Sequence, residues 1–194
     1  MEKDIIIFSA PSGSGKTTIL KHLFEKNPEL FNFSISATSR PKRDNEIHGK
    51  DYYFLTEEEF RKKLANNEFL EWEEVYNGTL YGTLKSEIKR IRSNNKIIAF
   101  DVDVNGGINI KKLFGDSAVS VFVMPPSVEE LRRRLEFRAT DSPESIAKRI
   151  ERSEMELTQS KYFDYTILND NIDIAVEQAQ NIIQTEFKQI FLND

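Results

Sequence analysis

The chain has 194 residues, 39% of them hydrophobic and 30% charged, with a formal net charge of −5. That length suits one domain, or one core carrying insertions, and its 14 Phe, 6 Tyr and one Trp exclude disorder as a whole-chain description. Zero Cys and only two His (His22 and His48) exclude disulfides, thiol catalysis and a histidine-built metal centre, and the acidic balance argues against nucleic acid as the main partner.

The longest clean apolar run near the start, Ile5 to Phe8, is far short of the roughly 20 residues of a membrane span. No membrane partner is expected, and a reducing, cytoplasmic location is the default. That same run is β-branched and reads as a buried central strand, stopped by Pro11-Ser12-Gly13. Ile19, Leu20 and Leu23 recur at helical spacing from Lys16 to about Lys26. Phe31 to Ser36 alternates as a half-buried strand, and Thr56 to Glu59 is a capping box opening a helix to about Asn67.

Phe69 to Tyr76 reads as a strand, with Asn77-Gly78 turning into Leu80-Tyr81. A helix over 84–92, a buried strand over 96–102, a glycine-weakened helix over 105–114 and a strand over 118–123 follow. Ser127 caps a helix through Arg138, and Asp141 to Glu144 begins another to about Gln159. A strand over 165–168 and a helix over 172–191 end the chain. Strands alternating with helices imply an α/β fold with a parallel sheet covered on both faces, and Ser36 to Tyr81 reads as an antiparallel insertion into it.

Ala10-Pro11-Ser12-Gly13-Ser14-Gly15-Lys16-Thr17 matches a Walker A loop with Ala for the first Gly. Gly13 and Gly15 permit the backbone angles that turn successive N–H groups toward an anion, and the following helix adds its N-terminal partial charge. Pro11 to Thr18 are the expected triphosphate-binding residues, with Lys16 reaching the β- and γ-phosphates and the Thr17 hydroxyl on Mg²⁺. A chance glycine turn before a helix is the weaker alternative.

Ser36, Arg40 and Arg43, followed by Tyr52, can surround one phosphomonoester, because Arg presents a planar fork of donors. Alone, the cluster reads equally as a solvated basic turn. Glu71 alone reads as a solvent-facing strand residue, Tyr81 as packing and Thr83 as a helix cap. Asp101 ends an apolar strand, where a carboxylate needs a partner. From Arg132 to Arg152, seven basic residues face four acidic ones, a local +3. Arg134 and Arg138 share a helix face, with Arg149 on the next helix, so the pair of helices can close over phosphates.

Together the Walker loop, Ser36 to Phe54, Phe69-Leu70-Glu71-Trp72, Tyr81-Gly82-Thr83, Asp101 to Gly106 and Arg134 to Arg149 resemble guanylate kinase, in that family's order and over most of the chain. The resemblance implies a P-loop NTPase-type parallel core (about 1–33, 95–125 and 160–194), a mixed α+β GMP-binding insertion (about 34–94) and a helical lid (about 126–159). It implies ATP-dependent phosphorylation of GMP, and of dGMP, with Mg²⁺. By similarity, Ser36, Arg40, Arg43, Tyr52 and Tyr81 bind the GMP phosphate, and Glu71, Thr83 and Asp101 hold the base. Lys16, Arg134, Arg138 and Arg149 serve catalysis, and Asn169 lies near the adenine. Ala139 and Asn105 depart from the family pattern. A kinase for another small phosphorylated acceptor, or a non-catalytic protein-binding module on this scaffold, are the alternatives; intact Lys16 and Thr17 argue against the module.

Overall fold

The computed structural model describes residues 3–75, 78–92, 96–137 and 143–191. In chain order the strands are β1 (Ile5–Ser9), β2 (Phe31–Phe33), β3 (Ala37–Thr38), β4 (Tyr53–Phe54), β5 (Phe69–Glu74), β6 (Leu80–Leu84), β7 (Ile97–Val102), β8 (Ala118–Met124) and β9 (Tyr165–Leu168). The helices are α1 (Lys16–Lys26), α2 (Glu57–Ala65), α3 (Lys85–Arg92), α4 (Val104–Phe114), α5 (Val128–Phe137), α6 (Pro143–Leu157), α7 (Ile172–Glu186) and α8 (Lys188–Phe191).

Five strands form an all-parallel sheet in the order β2-β7-β1-β8-β9. Strand alternation splits β1 between two cores: Ile6 and Phe8 pack with α1 and α7, whereas Ile5 and Ile7 pack with Ile88, Ile91 and Ile110 of α3 and α4. Helices on both faces of buried strands give the expected α/β architecture. Among the described residues no helix is long and apolar enough to cross a membrane.

The segment from Ser36 to Tyr81 departs from expectation. It is not inserted into the parallel sheet but belongs to a separate four-stranded sheet, β4-β3-β6-β5, with its own core of Ala37, Phe60, Phe69, Leu80 and Leu84. Nor is it wholly antiparallel: β3 pairs with β4 in parallel and with β6 antiparallel, because residues 39–52 give the chain enough length to cross over and return. The strand expected over 31–36 likewise splits. β2 ends at Phe33, and the chain passes to the second sheet at Ala37. Buried Glu87 pins this crossover by accepting from Ile35 N at 2.8 Å and Tyr53 OH at 2.9 Å, while Arg90 pairs with it. Burial alone would raise the Glu87 carboxyl, but these donors hold it below its ordinary value.

The capping box at Thr56 forms as expected. Helix α4 starts at Val104, capped by Asp103 Oδ1 accepting from Gly106 N at 2.9 Å. Its glycines weaken the helical signal for a packing reason: a Cβ at Gly107 would lie 2.1 Å from Ser9 Oγ, so only glycine lets α4 approach β1 this closely. The final helix breaks at Phe187 (φ −118°, ψ 33°), whose side chain is buried in the core. Helices α5 and α6 form their own small core of Leu131, Leu135, Ile146 and Ile150. The expected Asn77, Arg138, Ala139 and Asp141-Ser142 features lie outside the described residues.

Candidate functional site

The loop from Ala10 to Gly15 joins the C-terminal end of β1 to α1, where parallel α/β sheets place ligands. Gly13 (φ +91°) and Gly15 (φ +89°) adopt the left-handed backbone that an anion nest requires. Gly15 caps α1 without a side chain, so the helix end offers its first N–H donors and partial positive charge to a ligand. Lys16 Nζ sits 2.6 Å from Asp101 Oδ1 and also donates to the Val102 carbonyl. The two residues thus meet between the loop and the end of β7, with Thr17 and Thr18 exposed beside them.

Asn169 and Arg134 support this loop rather than line the cleft beside it. Buried Asn169 donates from Nδ2 to the Ser14 carbonyl at 2.7 Å, and Arg134 donates to the carbonyls of Ser14 (3.4 Å) and Asn169 (3.2 Å). Arg134 Nε pairs with Glu130 Oε1 at 2.8 Å, and with Arg133 it holds the Glu130 carboxyl near about 2. A Cβ at Gly15 would meet Asn169 Nδ2 at 2.2 Å. Asn169→Asp replaces the donor with a carboxylate facing a carbonyl oxygen, so it should destabilise the fold by about 1–3 kcal/mol and, on the triphosphate role that the resemblance implies for this loop, weaken ATP binding. Thermal melts and ATP titration check this; an unchanged ATP affinity would contradict it.

Across the cleft, Ser36, Arg40, Arg43, Tyr52, Glu71 and Tyr81 line a space of about 740 Å³ shared with the loop and Asp101; Thr83 lies behind Glu71 and is not in the lining. Glu46 grips the Arg40 fork, with Nη1–Oε2 at 2.6 Å and Nη2–Oε1 at 2.5 Å, and also accepts from Arg43 N at 2.9 Å. Paired this way, the Glu46 carboxyl falls to about 2 and the Arg40 guanidinium is raised further above its usual range. Arg40 lies over the Tyr52 ring, 5.1 Å from its centroid, and Tyr52 packs edge-on to Tyr81. Burial and the nearby Asp101 push the Tyr52 hydroxyl up to about 12, so it remains a proton donor.

Glu71 and Thr83 face each other across the β5–β6 ladder, and the Thr83 hydroxyl donates to Glu71 Oε1 at 2.7 Å. Thr83 is buried within β6 and does not cap α3. Burial, aided by Asp103, pushes the Glu71 carboxyl up to about 7, partly offset by the Thr83 bond. From α6, Arg149 donates to Ser12 Oγ in the loop. Arg138, the remaining expected lid arginine, lies outside the described residues.

Residues not singled out from the sequence also line the cleft: Glu73, Arg152 and Glu156, together with Asp103 of the matched segment Asp101 to Gly106. Each carried a weak signal. Glu73 is two residues beyond Glu71 on a strand, hence on the same face, and Arg152 and Glu156 continue the helical face of Arg149. Among the described residues no group of three His, Cys, Asp or Glu side chains could hold a metal ion alone. The donor set suits a cation carried on phosphates, with Thr17 as a hydroxyl donor and Asp101 beside it.

The guanylate kinase family model matches residues 2–186. The chain is 51% identical over 183 residues to a guanylate kinase of Bacteroides fragilis, covering 94% of this chain and 89% of that one. It is 52% identical over 184 residues to a guanylate kinase of Bacteroides thetaiotaomicron, covering 95% and 90%. In three dimensions it is similar to the crystal structure of guanylate kinase from Anaplasma phagocytophilum, with a TM-score of 0.75 and 29% identity over 95% of this chain and 86% of that one. With a glycine-rich Walker A loop and an arginine, tyrosine and carboxylate cluster lining a single cleft, and with matches spanning nearly its whole length, the chain belongs to the guanylate kinase family.

Proposed function

We propose that the loop end of the cleft holds ATP and the second sheet holds GMP, and that the γ-phosphoryl group passes directly between them. The protein is a nucleoside monophosphate kinase, converting ATP and GMP to ADP and GDP with Mg²⁺. An oxygen of the GMP phosphate attacks the γ-phosphorus in line, the bond from that phosphorus to the β–γ bridging oxygen breaks, and the bridging oxygen leaves with ADP. The attacking phosphate is already an anion, so no general base is required. Thr17, with Asp101 beside it, would hold a Mg²⁺ ion carried on the triphosphate, and that ion would supply neutralisation of the developing negative charge. The chain's own residues position and shield the reactants.

In this reading Pro11 to Thr18 cradle the triphosphate, Lys16 follows its β- and γ-oxygens, and Arg149 reaches over the loop from α6. Arg138 shares that lid role, and Arg134 and Asn169 act from beside the loop, near the nucleoside of ATP. Ser36, Arg40, Arg43, Tyr52 and Tyr81 take the GMP phosphate, which competes with Glu46 for the Arg40 fork. Glu71, with Thr83 and Asp101, reads guanine: a carboxylate accepts both N1–H and the 2-amino group, which adenine cannot offer together.

The second sheet with α2 and α3 forms the acceptor-binding unit, α5 and α6 form the lid, and the parallel sheet forms the core. Small nucleotides, not polynucleotides, are the partners, in the cytoplasm. The observation carrying the assignment is Glu71, which lines the same cleft as the glycine loop and is held there by the hydroxyl of buried Thr83. ADP release measured with GMP, dGMP, AMP, CMP and UMP tests it. GMP and dGMP should turn over and AMP should be rejected by about 10⁴-fold; a preference for AMP would overturn the Glu71 assignment.

A further inference from the structure

Two segments distant in the chain, and a third carboxylate from its own helix, converge on the Arg152 guanidinium. Its Nη2 donates to Glu73 Oε1 on β5 at 2.6 Å and to Asp103 Oδ2 at the start of α4 at 2.9 Å. Its Nε donates to Glu156 Oε1, one turn along α6, at 2.6 Å. The four side chains are only 10–29% exposed, so solvent weakens these contacts less than it does surface pairs. Asp103 is itself anchored, its other carboxylate oxygen capping α4 and its carbonyl accepting from the Ser9 hydroxyl.

One guanidinium therefore joins the lid helix to the core through Asp103 and to the acceptor sheet through Glu73. Without it, three carboxylates would face one another across the seam between these parts, and like charges this close repel. Even beside Arg152, burial and Asp103 push the Glu73 carboxyl up to about 7. Arg149 lies three residues earlier on the same helical face, so the rotation of α6 that seats Arg152 also seats Arg149 at Ser12. The Glu71–Thr83 pair, by contrast, is made entirely within β5 and β6 and does not depend on α6.

We propose that Arg152 is a positioning residue for phosphoryl transfer: clasped by Glu73, Asp103 and Glu156, it holds α6 against the core and the acceptor sheet so that Arg149 stands over the transferring group. The clasp rests on the Arg149 assignment made above. It acts on turnover and leaves guanine recognition to the second sheet.

The test compares Arg152→Met, Glu73→Ala, the double variant and Arg149→Met at about pH 8, where Glu73 is ionised. Turnover is measured by ADP release, GMP affinity by calorimetry, and folding by thermal melts. Arg152→Met should lower kcat about tenfold or more while GMP Kd stays within about threefold. Glu73→Ala should lower kcat by a smaller factor, and the double variant should be no worse than Arg152→Met alone.

An Arg152→Met kcat within about twofold of the parent overturns the clasp, as does a GMP Kd that weakens in step with kcat, which would make Arg152 a direct ligand. Single effects that simply multiply in the double variant overturn it too. If Arg152→Met fails to fold, Glu73→Ala decides alone: an unchanged kcat overturns the clasp, and a fall of about threefold with GMP Kd unchanged supports it. Loss of turnover in Arg149→Met but not in Arg152→Met sinks the clasp only. Normal turnover in Arg149→Met sinks the lid assignment and the clasp with it.

Discussion

Replacing Lys16 with methionine should lower kcat about 10²–10³-fold, the range seen when one preorganised donor to a developing charge is removed. The side chain ties the phosphate loop to the end of β7 through Asp101 Oδ1 at 2.6 Å and the Val102 carbonyl. On the proposed assignment, the same ammonium shifts from these acceptors to the migrating phosphoryl oxygens when ATP is bound, so its contribution rises toward the transition state. Methionine retains most of the side-chain length and apolar stem while removing the charge. Lys16 is not part of either hydrophobic cluster of the parallel sheet, so the variant should melt near the parent temperature. ATP binding should weaken far less than turnover, because Gly13, Gly15 and the α1 terminus still supply backbone donors. Steady-state kinetics and ATP titration separate the two, and near-normal kcat in a folded variant would remove Lys16 from the mechanism.

The parts of the site built from contiguous residues were readable in the sequence. The loop from Ala10 to Thr17 is one such part: strand, glycine turn and helix follow without interruption, and local backbone geometry does the work. Glu71 and Thr83 were placed near the base only by resemblance, since the register that makes them neighbours across β5 and β6 includes an irregularity between Phe69 and Glu71. The separate second sheet was not readable, because the two-residue strands β3 and β4 carry no periodicity of their own and pair in parallel across a long loop. Arg152 was hidden for a related reason. Its three carboxylates come from β5, the start of α4 and α6, and in sequence it is one more cation on a basic helix face. The resemblance placed Asn169 near the nucleoside; that its amide also holds the Ser14 carbonyl was not readable, because the contact spans 155 residues.

Glu71→Gln should lower kcat/KM for GMP about 10²–10³-fold, because a charged acceptor for two guanine donors is replaced by an amide offering one acceptor and one opposing donor. The same change should not weaken the fold. Burial raises the Glu71 carboxyl to about 7, above its ordinary value, so ionisation is harder in the folded chain than in the unfolded one. Between the unfolded value and about 7 the folded state binds the extra proton, and stability falls as pH rises through that window. Above it the parent carries a buried charge that the neutral amide lacks, so Glu71→Gln should melt no lower than the parent at alkaline pH. GMP binding has the opposite sign. On the proposed assignment it requires the carboxylate, so affinity should be full above about pH 7 and fall about tenfold per unit below it, until the carboxyl of the complex begins to titrate. The GMP phosphate, with a second ionisation near about 6, and Glu73, also raised to about 7, add their own dependence. Glu71→Gln separates these contributions: calorimetric GMP titrations across this range should lose the limb that belongs to Glu71 and keep the others. A variant that binds GMP as tightly as the parent, or whose pH dependence matches the parent's, would mean that guanine is read elsewhere in the cleft.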